Sequence, residues 1–181
     1  KHLIISDKKF FDFLVKNFKQ IINLKKPFIN KAIYKSCIIK KRIVEKDERE
    51  KNLRKTLNLG HTFAHAYEAA YKYSKGLNHG EAVLLGIHSA SKFSLNKKKI
   101  KQIDNNKIQD HILTINKSLK IENYFGKKDT SKLINFMKND KKNNSKKINL
   151  ILIKRIGKVT YNNFFEIKEI TKFIKSQFYN I

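Results

Sequence analysis

Arg54, Asn58, His61, His65 and Glu68 are spaced by four, three, four and three residues. On an α-helix that spacing lines up a guanidinium, an amide, two imidazoles and a carboxylate along one stripe. Leu57, Leu59, Phe63, Ala66 and Ala69 fall elsewhere around the axis. Exposed faces of this chain are otherwise built from Lys and Asn, so the stripe reads as the wall of a polar site rather than as a solvated surface. His61 and His65 stand one turn apart, where two imidazoles can face one ligand or metal ion. His79, in His79-Gly80-Glu81, follows a loop and can fold back beside them. Three protein ligands and an open position make a catalytic zinc site. Glu68 and Glu81 are candidate acceptors that orient imidazole N–H groups, with plain surface carboxylates as the alternative. His88, on an apolar segment, reads as structural, and His2 and His111 lack supporting context. Gly60 inside a helix costs about 1 kcal/mol relative to Ala, which is explained if a substrate or another backbone comes close there.

The elements that position these groups follow from periodicity and caps. Asp7 is an N-cap for a helix over residues 7–24 with Phe10, Phe11, Leu14, Phe18, Ile21 and Ile22 on its buried side. Pro27, the single proline, suits the first turn of a second helix to about residue 44. A charged segment, 45–50, leads into the polar-faced helix, 53–73. Residues 76–78 form a loop, and an Ala-, Leu- and Val-rich helix covers 80–95. Further helices are expected over 104–119 and 130–138, then a polar loop over 139–147. A small hairpin pairs 148–153 with 158–161 across Gly157, and a last helix covers 166–178. The sum is a mainly α domain with a minor β element and nothing resembling a nucleotide-binding βαβ unit.

The chain has 181 residues, one cysteine and a formal net charge of +26. That length suits one domain with a real core. Such a charge ordinarily points to nucleic acid or an anionic membrane. Here the lysines are scattered over the whole chain with only short runs, and no basic patch alternates with aromatics as a base-stacking platform would. Neither nucleic acid nor a membrane is therefore expected as a partner, although the charge can draw in an anionic metabolite. Cys37 forms no intrachain disulfide, which fits a reducing, cytoplasmic compartment, and it reads as a small core residue. No apolar stretch spans a bilayer, and no signal peptide is visible. The opening at Lys1-His2, without Met, reads as a piece of something longer.

With these residues in view, the chain resembles the C-terminal domain of the 3-dehydroquinate synthase family. Lys1 to Asp7 with Phe10-Phe11 resembles the family's Glu-x-x-Lys-x-x-x-Ile-x-Asp segment, entered at its lysine. Ser36 to Lys40, Ile43-Val44 and Asp47 to Glu50 resemble its next segment. Arg54, Leu57 to Thr62 and His65-Ala66-x-Glu68 follow its Arg-x-x-Leu-Asn-x-Gly-His-Thr-x-x-His-Ala-x-Glu block. His79 to Val83 with Gly86 match the block after that, and Asp140-Lys141-Lys142, 151–153 and Ile156-Gly157 resemble the close.

The resemblance implies a helical domain with a small C-terminal hairpin, acting in the shikimate pathway as part of a phosphate-eliminating carbon–oxygen lyase. That enzyme turns a seven-carbon 2-keto sugar acid phosphate, 3-deoxy-D-arabino-heptulosonate 7-phosphate, into 3-dehydroquinate and phosphate with zinc (or cobalt) and NAD. It implies His61 and His79 as two of three metal ligands. His65, Asn58 and Lys141 would contact the substrate phosphate, Lys40 and Arg54 would hold its carboxylate, and Lys1 would touch the ring hydroxyls. On this reading the helix splits His61 and His65, one to metal and one to phosphate, and Lys1, Asn58 and His65 stand closest to the chemistry. It implies a homodimer and a third ligand three residues before Lys1, and it places NAD mainly on an N-terminal domain outside residues 1–181. This chain alone, a single helical domain, is then expected to be inactive and to bind zinc weakly. Ala64 and Asn52 stand where the family usually has Gly; Asn is the next-best residue where φ is positive.

Two other readings compete. Sister sugar phosphate cyclases and metal-dependent glycerol or alcohol dehydrogenases share such a domain, but Lys40 with Arg54 favours a substrate that carries a carboxylate. A non-catalytic basic helical binding domain would not need His61, His65, His79, Arg54 and Asn58 together.

Overall fold

The computed structural model describes residues 1–72, 76–139 and 147–178. Asp7 separates two helices. Before it, α1 (His2–Ser6) buries Leu3, Ile4 and Ile5. After it, α2 (Lys8–Lys16) is capped as expected, the Asp7 carboxylate accepting from the Phe10 N–H at 2.9 Å. The single helix expected to residue 24 is broken. The Asn17 side-chain amide donates to the Phe13 carbonyl at 2.8 Å, the chain turns, and only the short α3 (Phe18–Ile22) follows. The break rotates the stripe, so that Phe11 enters the core while Ile22, expected inside, is 57% exposed.

Helix α4 (Phe28–Lys46) begins just after Pro27 and buries Ala32, Ile39 and Ile43. Cys37 lies on the opposite side of that stripe and is exposed, not a core residue as expected. A Lys35–Asp7 ion pair at 3.0 Å ties α4 to the start of α2.

The core centres on two helices, α5 (His61–Ala70) and α6 (His79–Asn96). Phe63, Ala64, Ala66, Tyr67 and Ala70 of α5 are buried, and the Tyr67 hydroxyl meets Ser89 Oγ at 2.7 Å inside the interface with α6. Helix α6 is sheltered on its other sides by α7 (Gln102–Ile115) and by a hairpin, β1 (Lys147–Arg155) and β2 (Lys158–Glu166). Short 3-10 turns at Ile121–Asn123 and Lys127–Asp129 lead into α8 (Thr130–Lys138), which packs on α5. The strands are antiparallel around Ile156-Gly157, with Arg155 opposite Lys158, and are longer than expected. Ile148, Leu150 and Leu152 are buried in alternation, and Ile153 is buried as well, between register irregularities at Leu150/Leu152 and Ile153/Arg155. The Ile153 N–H donates to Ser94 Oγ at 2.9 Å, and the Phe93 ring meets Phe165 and Phe173 edge-on at 4.9 Å each. Phe173 belongs to the last helix, α9 (Ile167–Ser176).

The expected class is found: mainly helical, with one antiparallel hairpin near the C-terminus. Among the described residues no helix is long and apolar enough to cross a membrane.

Candidate functional site

The polar stripe is not one helix. Leu53–Asn58 is a 3-10 helix, the chain bends through Leu59 and Gly60, and α5 begins at His61. At three residues per turn, Arg54 and Asn58 leave the line that His61, His65 and Glu68 keep on α5. The cause is Gly60, whose φ is +83° and which lies against the backbone of α6. A Cβ there would stand 2.7 Å from the Ile87 nitrogen. Of the two explanations for this glycine, close approach of another backbone is the one found.

His61 is the first residue of α5 and His79 the first of α6. Their ring centroids are 6.0 Å apart, and the His65 ring is 5.5 Å from that of His61. His79 Nδ1 meets Glu68 Oε1 at 3.0 Å, so Nε2 is the ring nitrogen left for another partner. Glu68 thus plays the expected orienting part. Glu81 does not: it is consumed in the cap of α6, where its N–H donates to Asn78 Oδ1 at 3.0 Å and its carboxylate accepts from the Asn78 N–H at 3.1 Å. His61 Nδ1 is turned to the Leu59 carbonyl at 3.4 Å. Burial, then the charge of Lys1, pushes the His61 pKa down to about 4, so at neutral pH the ring is in the uncharged form that ligates metals. An imidazole whose Nδ1 is held by a carboxylate or carbonyl while Nε2 is available is the usual form of a metal-ligating histidine, so the two side chains fit a metal. Among the described residues no group of three or more His, Cys, Asp or Glu side chains encloses a metal position.

Lys1 is half-buried, and its pKa is lowered by burial and then by Lys40. Lys1 therefore feels the charge of Lys40, on α4, and His61 in turn feels the charge of Lys1. Arg54 is placed by its loop: Asp47 accepts from the N–H groups of Lys51, Asn52 and Arg54 at 2.9, 2.7 and 2.9 Å. These bonds, that to Arg54 foremost, hold the Asp47 carboxyl below its ordinary range. The Arg54 guanidinium donates to the Glu48 carbonyl. The positive φ in this loop falls on Glu50, at 54°, whereas Asn52, where it was expected, has φ −138°. Asn58 Nδ2 donates to Glu50 Oε1 at 2.6 Å. Both line a cavity of about 390 Å³ with Thr62 and the hairpin residues Asn162 and Phe164. The sequence gives Glu50 no individual role; its signals are a charged segment and the family-like stretch Asp47 to Glu50. Lys141 lies outside the described residues, as does the expected end of the polar-faced helix at residue 73.

So the structure gathers His61, His65, His79 and Glu68 along one side of the α5–α6 pair, with Lys1 coupled by charge to His61 and Lys40 to Lys1. Asn58 sits three residues upstream, toward the hairpin. Residues 1–143 match the family described as 3-dehydroquinate synthase C-terminal. The chain belongs to that family.

The 3-dehydroquinate synthase of Pelagibacter ubique is 50% identical over 177 residues, 98% of this chain and 48% of that protein. The 3-dehydroquinate synthase of Dictyoglomus thermophilum is 38% identical over 183 residues, again 48% of its length. The chain thus spans about half the length of these curated relatives. Among solved structures, it shares its fold with a 2-epi-5-epi-valiolone synthase from Streptomyces hygroscopicus with NAD+ and Zn2+ bound (TM-score 0.81, 15% identity, 97% of this chain and 48% of that one). A 2-deoxy-scyllo-inosose synthase complexed with carbaglucose-6-phosphate, NAD+ and Co2+ is also similar (TM-score 0.72, 20% identity, the same coverage).

Proposed function

We propose that this chain is the metal- and substrate-holding half of a 3-dehydroquinate synthase, a single helical domain working with an N-terminal NAD-binding domain in a cytoplasmic, homodimeric enzyme. The observation that carries the reading is the convergence of His61 and His79, each first in its helix and each with Nδ1 turned to an acceptor, beside the charge-coupled pair Lys1 and Lys40.

Nε2 of His61 and of His79 would hold zinc, or cobalt, with a third ligand supplied from outside residues 1–181. When bound, the metal polarises an alcohol oxygen of the substrate for hydride exchange with NAD. The chain's own residues position and neutralise the phosphorylated keto sugar acid. Arg54 offers a planar fork to the carboxylate, and Lys40 adds charge. Lys1 reaches a ring hydroxyl from a half-buried position, where its attraction is less screened than at the surface. His65, Asn58 and Lys141 receive the phosphate, and Glu50 fixes the Asn58 amide. Elimination of phosphate and ring closure then rest on orientation and charge stabilisation more than on covalent help from the protein. By itself, residues 1–181 would be inactive.

The test is phosphate release by the product of the complete reading frame, supplied with 3-deoxy-D-arabino-heptulosonate 7-phosphate, NAD and zinc. Release that needs zinc and is lost in His61→Ala supports the reading. A folded, metal-loaded protein that releases none refutes it and directs attention to the sugar phosphates of the sister cyclases.

A further inference from the structure

Helices α5 and α6 run antiparallel, Gly60 meeting Ile87 at one end of the pair and Glu68 meeting His79 at the other. Where they come closest, each presents a glycine. A Cβ on Gly86 would lie 2.2 Å from the Gly60 carbonyl oxygen and 3.0 Å from the Ala64 nitrogen. That carbonyl accepts the Ala64 N–H at 2.9 Å, the first hydrogen bond of α5, so the added methyl would strike the turn that His61 opens. Gly86 is seven residues after His79, two turns along the same face of α6. His61 and His79 therefore sit on rigid elements whose spacing is fixed at one contact, and helix separation depends on the side chains at the contact.

Resting on the proposed metal site, we propose that Gly86, against Gly60, is a positioning residue for the metal: the absence of a side chain there sets the distance between His61 and His79. Helix propensity alone would favour Ala at this position, so any loss traces to the contact. Moving the intruding Cβ from 2.2 Å to an ordinary 3.4 Å contact requires roughly 1 Å of helix displacement. Such an error is large for a metal site, where ligand distances tolerate only about 0.2 Å.

The experiment compares wild type, Gly86→Ala and Leu85→Ala in the product of the complete reading frame. Leu85 is fully buried in the same helix, and its truncation weakens packing without touching Gly60. Zinc affinity is read by chelator competition and the Co2+ site by its absorption spectrum. The metal-free separation of the His61 and His79 rings is read by crystallography. Gly86→Ala is expected to widen the 6.0 Å ring separation, to weaken zinc binding at least 10-fold and to shift the Co2+ bands, whereas Leu85→Ala lowers stability and leaves the site alone. Unchanged separation, affinity and spectrum in Gly86→Ala overturn the proposal, and so does an equal loss of affinity in Leu85→Ala. A wild type that binds neither metal refutes the metal reading instead, and the metal-free ring separation in Gly86→Ala still decides whether the crossing sets the spacing.

Discussion

Glu68 illustrates how much a single side chain decides. Its carboxylate is mostly sheltered, 12% exposed, while the His79 ring it holds is 63% exposed. Without it, the ring would have no fixed orientation. Glu68→Ala is expected to weaken zinc binding by about 10–100-fold, measured by chelator competition, with little change in fold. His88 marks the opposite use of an imidazole. It is buried, its Nδ1 has no hydrogen-bond partner among the described residues, and burial pushes its pKa down to about 3 from an ordinary 6.5. Between those values the unfolded chain binds the proton and the folded chain does not. Stability therefore falls as pH is lowered through that interval. His88→Leu should flatten this part of the curve, read from urea midpoints between about pH 7 and pH 4. At this scale the sequence is informative where chemistry is local: of the two readings open for Glu68, contact with an imidazole is the one found, and His88 is buried as a structural residue would be. Of the two readings open for Glu81, imidazole acceptor or surface carboxylate, the first is not found, because Asn78, three residues before it, makes a capping box and that demand is met first. Cys37 was misjudged because a run of apolar letters says nothing about which side of a helix each one faces.

Helix ends carry the site, so caps matter more here than helix interiors. Asn78→Ala removes the acceptor for the Glu81 N–H and is expected to cost about 1 kcal/mol of stability, measured by urea unfolding. Because His79 is the next residue, zinc affinity should fall in the same variant. The polar stripe shows what periodicity can and cannot reveal. His61, His65 and Glu68 do share a face of α5. Arg54 and Asn58 do not, because Gly60 takes a left-handed conformation and the turn before it is 3-10. A glycine inside a periodic pattern leaves two outcomes open, a tolerated defect or a break. The packing of α6 on Gly60 chooses the second, and that contact comes from 26 residues further on. The split between α2 and α3 has a nearer cause, an asparagine that bonds back to its own helix; the phenylalanine periodicity on which the single helix over 7–24 rests takes no account of Asn17.

Across the whole molecule, the charge of +26 bears on how an anionic substrate arrives rather than on the fold. For the proposed enzyme, kcat/KM is expected to fall several-fold as ionic strength rises from about 0.05 to about 0.5 M, with kcat nearly constant, as steady-state assays across a salt series would show. The helical class and the hairpin could be read from sequence because each depends on local pattern. The order in which distant parts meet could not. One such meeting joins segments far apart in sequence: the Gly157 N–H at the hairpin turn donates to the Ile4 carbonyl at 2.8 Å. Lys1 sits at the head of the short helix held by that bond. During synthesis the first helix must therefore wait while some 150 residues emerge from the ribosome before its anchor exists. Contacts of such long sequence separation form late and slow folding, so Lys1 is made well before the contact that fixes its helix.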